Sequence, residues 1–254
     1  MKRTVLAVVL AVASGVHAQD KPLRGAEVWS RESVLHGRFE MRLRSIRASG
    51  TLATFFLYKN ECYLPGVDWE EIDIEVFGKD DGFFWQSNII TGEPRENDEL
   101  VHEAESSFAD GFHVFAIEWT PESVAWFVDG EEIRRATGEN VGRLVSEQSM
   151  RFNLWASSIE EWTGPVEAGR LPVYQYVDWF KYSRYEDGRF VHEWTDDFER
   201  FDESRWQKAD WSFDINLAQF TPENVLVRDG MLILALTPPD RVGDFDAARV
   251  GPDD

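Results

Sequence analysis

The chain has 254 residues, 43% of them hydrophobic, which is enough to bury a full core and excludes a globally disordered chain. Its formal charge of −21 and pI of about 4.6 repel polyanions, so nucleic acid, anionic membranes and acidic polysaccharides are excluded as partners while a neutral ligand is not. A single cysteine, Cys62, excludes an intramolecular disulfide.

The first elements in chain order are an export signal and a strand. Residues 1–18 combine Lys2 and Arg3, a short apolar run and the small residues of Val16-His17-Ala18, which predicts a secretory leader cut after Ala18. The run is too short for a stable membrane span, and no other segment is long and apolar enough to be one. HGRFEMRLRSI alternates Phe39, Met41 and Leu43 with Glu40, Arg42 and Arg44, as a half-buried strand does. FFLYKN places Phe56, Tyr58 and Asn60 on one face. Cys62 follows in a loop-like stretch with no histidine nearby, which argues against a nucleophilic role.

WEEIDIEVFG, residues 69–78, is the most informative segment. Strand alternation puts Ile72, Ile74 and Val76 on one face and Glu71, Asp73 and Glu75 on the other. Three carboxylates in line raise one another's proton affinity. Glycosidic hydrolysis needs one protonated and one ionised carboxyl. A solvated acidic face and a divalent-cation site are the alternatives left open by the pattern alone. Residues four apart on a strand stand about 13 Å apart at Cα, whereas retaining glycosidases hold their two carboxyls about 5–5.5 Å apart. Sheet curvature and leaning side chains must close the difference.

Further along, FFWQSN pairs Gln86 with Asn88 on one face, and FHVFAIEW reads as a buried strand. VAWFV and EEIRRA flank Asp129-Gly130, a strong hairpin signal. RFNLWAS sets Arg151, Asn153 and Trp155 opposite Phe152 and Leu154. QYVDWFKYSRY and GMLILAL complete the strands. RYEDGRF reads as a polar join between two blocks, and residues 240–254 as a frayed tail. Aromatic rings mixed with amides and a guanidinium suit a cleft that stacks sugar rings and binds hydroxyls better than they suit a dry core. Many short strands with almost no helical periodicity predict an all-β, antiparallel two-sheet sandwich over residues 19–239, with a monomer as the default.

These residues resemble glycoside hydrolase family 16, the jelly-roll (concanavalin-like) β-glucanases. Glu71-Ile-Asp-Ile-Glu75 is similar to that family's E-x-D-x-E signature in its regular-strand form, and the flanking blocks run in the family's order. EWTDDFERFDESRWQKADWSFD resembles the segment that normally opens a licheninase domain, yet here it lies near the end, which implies circular permutation. The resemblance implies a secreted, endo-acting, retaining hydrolase of neutral mixed-linkage 1,3-1,4-β-glucan. Glu71 would be nucleophile, Glu75 acid/base, and Asp73 their orienting partner. It further implies substrate contacts at Glu27, Phe56, Tyr58, Asn60, Gln86, Asn88, Arg151, Asn153, Trp155, Trp162, Asp210 and Trp211. It implies no catalytic cofactor, but a structural Ca²⁺ at Asp178, Asp197 and Gly230, partly through backbone carbonyls. Tyr63, Ile215 and Leu217 depart from the pattern at the expected cleft rim. The competing readings are a relative acting on 1,3-β-glucan or xyloglucan, and a non-catalytic carbohydrate-binding sandwich.

Overall fold

The computed structural model describes residues 21–249, so the predicted leader at 1–18 lies outside the described residues. The strands are β1 (Leu23–Val34), β2 (Gly37–Arg44), β3 (Thr51–Tyr58), β4 (Trp69–Phe77), β5 (Phe84–Gly92), β6 (Glu96–Asn97), β7 (Leu100–Glu103), β8 (His113–Trp119) and β9 (Ser123–Val128). They continue as β10 (Glu131–Thr137), β11 (Gln148–Ala156), β12 (Val173–Glu186), β13 (Arg189–Asp196), β14 (Trp206–Lys208), β15 (Ala218–Phe220), β16 (Val225–Arg228) and β17 (Met231–Leu236). Two four-residue helices, α1 (Glu139–Gly142) and α2 (Glu160–Thr163), lie in the connections.

The strands form two sheets. One runs β14-β1-β11-β3-β4-β5-β6, with β15 beside β1 and β7 beside β5. The other runs β10-β9-β8-β2-β12-β17-β16, with β13 beside β12. Pairing is antiparallel except for the short parallel contact of β15 with β1. This is the predicted jelly-roll sandwich.

Alternation builds the core. Phe39, Met41 and Leu43 of β2 face Phe55 and Leu57 of β3, Ile72, Ile74 and Val76 of β4, and Phe152 and Leu154 of β11 within one continuous cluster. The other faces of β3, β4, β5 and β11 are thereby turned away from that core, and they carry the polar and aromatic residues singled out above.

Two expectations change. RYEDGRF does not separate blocks. It is the β12–β13 hairpin, with Asp187 (φ 51°) and Gly188 (φ 77°) in the left-handed region that a tight two-residue turn requires. The tail is not frayed over residues 240–249. Phe245 and Ala248 are buried against Tyr174, Tyr176 and Ile233 on the outer face of β12 and β17. Tyr174 Oη donates to the Asp244 carbonyl at 2.8 Å, and Arg249 N–H donates to Tyr176 Oη at 3.1 Å. An outward face carrying two tyrosines, Ile233 and Ala235 needs cover, and Phe245 and Ala248, two apolar anchors among charged residues, supply it.

Candidate active site

β4 lies inside its sheet, paired without a register shift to β3 on one side and β5 on the other. Pairing fixes the neighbours of each acid. Glu71 stands between Tyr58 and Ile90, Asp73 between Phe56 and Asn88, and Glu75 between Thr54 and Gln86. One strand further, Arg151 pairs with Phe56 and Asn153 with Thr54. Beyond them Trp29 pairs with Arg151 and Glu27 with Asn153. Antiparallel partners share a face, so the sequence-predicted residues on these strands form one continuous surface.

The three acids have different surroundings. Glu71 accepts a hydrogen bond from Trp69 Nε1 at 2.5 Å. Burial raises its proton affinity, but the bond from Trp69, a bond from Asp73 and the charges of Arg95 and Arg151 all oppose that. Asp73 is pushed well above the usual carboxylate range by burial, by the negative charges of Glu71 and Glu75, and by its hydrogen bond to Glu71. It is therefore the proton donor in that bond. Glu75 is pushed up to about 8, chiefly by burial and then by the charges of Glu71 and Glu99, while a 3.0 Å bond from Gln86 Nε2 opposes the rise. Of the three, Glu71 meets the strongest opposition to its burial, so it is the carboxyl that these surroundings most favour in ionised form.

A supporting polar network runs across the sheet. Arg151 donates to Glu27 Oε1 (3.0 Å), Ser149 Oγ (2.9 Å) and Asn60 Oδ1 (2.7 Å). Asn153 Nδ2 donates to Glu27 Oε2 at 3.2 Å, and Thr54 Oγ1 donates to Asn153 Oδ1. Glu27 is 2% exposed and both its oxygens are engaged, so its place is to hold Arg151 and Asn153 rather than to offer a free carboxylate. Trp162 on α2 donates Nε1–H to Gln86 Oε1 at 3.3 Å, which extends the chain of bonds to Glu75.

Aromatic side chains flank the polar row. Trp155 packs on Trp162 and Phe213, and Trp211 meets Trp29 edge-on with ring centroids 5.6 Å apart. Asp210 precedes Trp211 but is solvent-exposed, and its backbone carbonyl serves Gln219. Of the departures, Tyr63 is 54% exposed, Ile215 joins the Trp155–Trp162–Trp211 cluster, and Leu217 packs on the main core instead of the rim.

Trp29, Trp69, Thr54 and Arg95 belong to the site but were not read from the sequence. Strand alternation could have found the first two, since Trp29 follows Glu27 by two residues and Trp69 precedes Glu71 by two. Arg95 comes from the loop after β5 and has no periodic signal.

The proposed cation ligands lie elsewhere. Asp178 follows Val177, which pairs with Leu232 just past the Asp229-Gly230 turn. A methyl group built on Gly230 would stand 3.9 Å from the Asp197 carbonyl and 3.4 Å from Glu199 Oε1. The Asp178 carboxylate, however, is held by Arg42 at 2.5 Å. Among the described residues no three His, Cys, Asp or Glu side chains converge to hold a metal. Two oxygens, the Asp197 carbonyl and Glu199 Oε1, lie near Gly230, and oxygen is the donor type that Ca²⁺ takes.

Comparison with known proteins identifies the family. The family model described as glycosyl hydrolases family 16 matches residues 8–180. A β-glucanase of Fibrobacter succinogenes is 43% identical over 251 residues, covering 93% of this chain and 72% of the relative. A β-glucanase of Brevibacillus brevis is 32% identical over 161 residues, and the match spans 63% of this chain and 60% of that relative's length. Among solved structures, Bacillus licheniformis β-glucanase superposes with a TM-score of 0.56 at 28% identity, covering 63% of this chain and 71% of that one. A prokaryotic β-1,3-1,4-glucanase (lichenase) from a mouse hindgut metagenome gives 0.54 at 26% identity, covering 62% and 78%. A sandwich of this topology, three in-line acids on an unbroken strand and a family match over most of its length place the chain in glycosyl hydrolase family 16.

Proposed function

We propose that the protein is a secreted, endo-acting, retaining hydrolase of mixed-linkage 1,3-1,4-β-glucan. The observation that carries the reading is the unequal environment of three carboxyls on one strand face: Glu71 receives the Trp69 N–H and two arginine charges, while Glu75 is pushed up to about 8. In the first step Glu71 attacks the anomeric carbon while Glu75 gives its proton to the departing glycosidic oxygen. This leaves a glycosyl ester on Glu71. In the second step Glu75 takes a proton from water, the water oxygen attacks the same carbon, and the ester bond to Glu71 breaks with net retention. Asp73, hydrogen-bonded to Glu71, holds the nucleophile in place.

The remaining residues suit a neutral sugar chain. Asn88 Oδ1 is buried without a protein partner and can accept a bond from a hydroxyl. Trp155, Trp162, Phe56 and Tyr58 offer ring faces and edges. Mixed linkage is supported by the unshifted pairing of β4, which matches the regular-strand form of the signature, and by the lichenase among the structural neighbours. Export is supported by the composition of residues 1–18.

Circular permutation is part of the same proposal. The family match ends at residue 180, yet strands after that point complete both sheets: β14 and β15 flank β1, and β17 lies beside β12. The β12–β13 turn would be the join between ancestral ends. The present start of β1 and end of β17 are bonded to each other through Arg24 and Thr237, at 2.9 and 2.8 Å.

The test is reducing-sugar release from barley β-glucan, laminarin and carboxymethylcellulose. High release on the first alone is expected. Glu71→Gln and Glu75→Gln should each lower turnover by about 10³-fold or more while largely preserving glucan binding. Comparable release from laminarin would replace the mixed-linkage assignment, and near-normal turnover by either variant would remove the catalytic one.

A further inference from the structure

Arg95 has no partner in the sequence pattern, yet its guanidinium carbon stands 3.8 Å from the centroid of the Trp69 ring. That distance is a close stacking contact for a guanidinium on an indole. The same indole donates its N–H to Glu71 Oε2 at 2.5 Å. Tyr58 meets Trp69 edge-on, with centroids 5.3 Å apart, so the ring is held between the arginine and the tyrosine. Arg95 is half-buried on the loop that follows β5, whereas Trp69 and Glu71 lie on β4. A loop outside β4 thus reaches over the ring that touches Glu71.

We propose that Arg95 is a positioning residue for Glu71, acting through Trp69: its stacked cation fixes the indole and polarises the N–H that Trp69 donates to Glu71. A positive charge on the ring face draws electron density from the indole, which makes its N–H a stronger donor to an anion. Stacking also restricts the rotation of Trp69, so less freedom is lost when the bond to Glu71 tightens in the transition state. Other groups face Glu71 as well. Asp73 and Glu75 lie on its own strand, Tyr58 on β3, Arg151 on β11 and Cys62 in the loop after β3. Arg151 is committed to Glu27 and Asn60. Arg95 and Arg151 both oppose protonation of Glu71, and only Arg95 is stacked on the ring that bonds it.

The inference rests on Glu71 as nucleophile, and the experiment separates the two. The pH dependence of kcat/KM on barley β-glucan is measured for the wild type, Arg95→Met and Arg95→Lys, and the Glu71 carboxyl is titrated by ¹³C NMR in the same proteins. Arg95→Met should move the acidic limb and the NMR titration of Glu71 upward together, by about half a pH unit or more. It should lower kcat about 3–10-fold below that limb and change KM less than about twofold. Arg95→Lys, which keeps the charge, should restore most of the limb. A limb and a titration that stay put in a folded Arg95→Met protein overturn the proposal. So does a rise in KM alone, which would make Arg95 a substrate contact, or a Lys variant that behaves like Met. If Glu71→Gln keeps turnover, the nucleophile assignment fails first, whatever the arginine does.

Discussion

At the scale of single residues, the site separates three chemically similar groups by what each touches. Strand alternation made the trio legible, because side chains two apart must share a face. It could not divide the roles. The division depends on Trp69, Arg95, Gln86 and Glu99, which reach the acids from the strand start, two loops and a neighbouring strand. Crowded, buried carboxyls also have a cost in stability. The Glu75 carboxyl sits at about 8 in the folded chain against an ordinary 4.5. Its raised affinity means that its contribution to stability is complete below about pH 4.5 and is lost as pH climbs toward 8. Glu75→Gln cannot ionise and escapes that loss. The variant should melt at the same temperature as wild type near pH 4 and progressively higher between pH 5 and 8. A gain on the order of 1–3 kcal/mol is expected, at about 2–4 °C each. Melting curves across pH 4–9 test this, and parallel curves would show that Glu75 carries no such burden. In active wild-type protein, the alkaline limb of kcat/KM should fall near the same pH.

At the scale of elements, local turn chemistry was the most readable feature. Asp129-Gly130 closes the β9–β10 hairpin, with both residues at positive φ, as its sequence required. The same logic applies to Asp187-Gly188, whose charged flanks disguised a hairpin as a linker. The tail was misread because Phe245 and Ala248 are too sparse to show a period, and their burial depends on a distant outward face of β12. Asp229-Gly230 joins β16 to β17 and also stands beside the Asp197 carbonyl. We propose this turn as the Ca²⁺ site, with the Asp197 carbonyl as one of its ligands. Millimolar CaCl₂ should then raise the melting temperature of metal-stripped protein by several degrees, while Mg²⁺ should do little, since it demands a tighter octahedral shell. The gain should diminish in Asp197→Ala only as far as that side chain contributes, and should fall sharply in Gly230→Val, whose positive φ of 69° a branched residue resists. An unchanged melting temperature with Ca²⁺ would dismiss the site.

At the scale of the molecule, the architecture was legible as a sandwich but its closure was not. Periodicity assigns faces, whereas sheet order depends on contacts far apart in sequence, such as β1 with β11 and β14. That non-local order is also what tolerates permutation. β3, β4, β5 and β11 carry the acids and most of the polar row, and none is interrupted by moving the chain ends. The β12–β13 turn is exposed at Asp187 and Gly188, while Arg24 and Thr237 are already bonded to each other. A chain opened between Asp187 and Gly188, with residue 249 joined to residue 21 by a flexible Gly/Ser linker, keeps every strand and the packing of Phe245. Joining the ends costs loop entropy that grows only slowly with linker length, and opening an exposed turn removes few contacts. The rearranged protein should therefore show the same far-ultraviolet circular dichroism, melt within about 10 °C of the parent and hydrolyse barley β-glucan within a few-fold of its rate. Failure to fold would mean that the Asp187-Gly188 hairpin is an integral folding element of this sandwich and not a seam between ancestral ends.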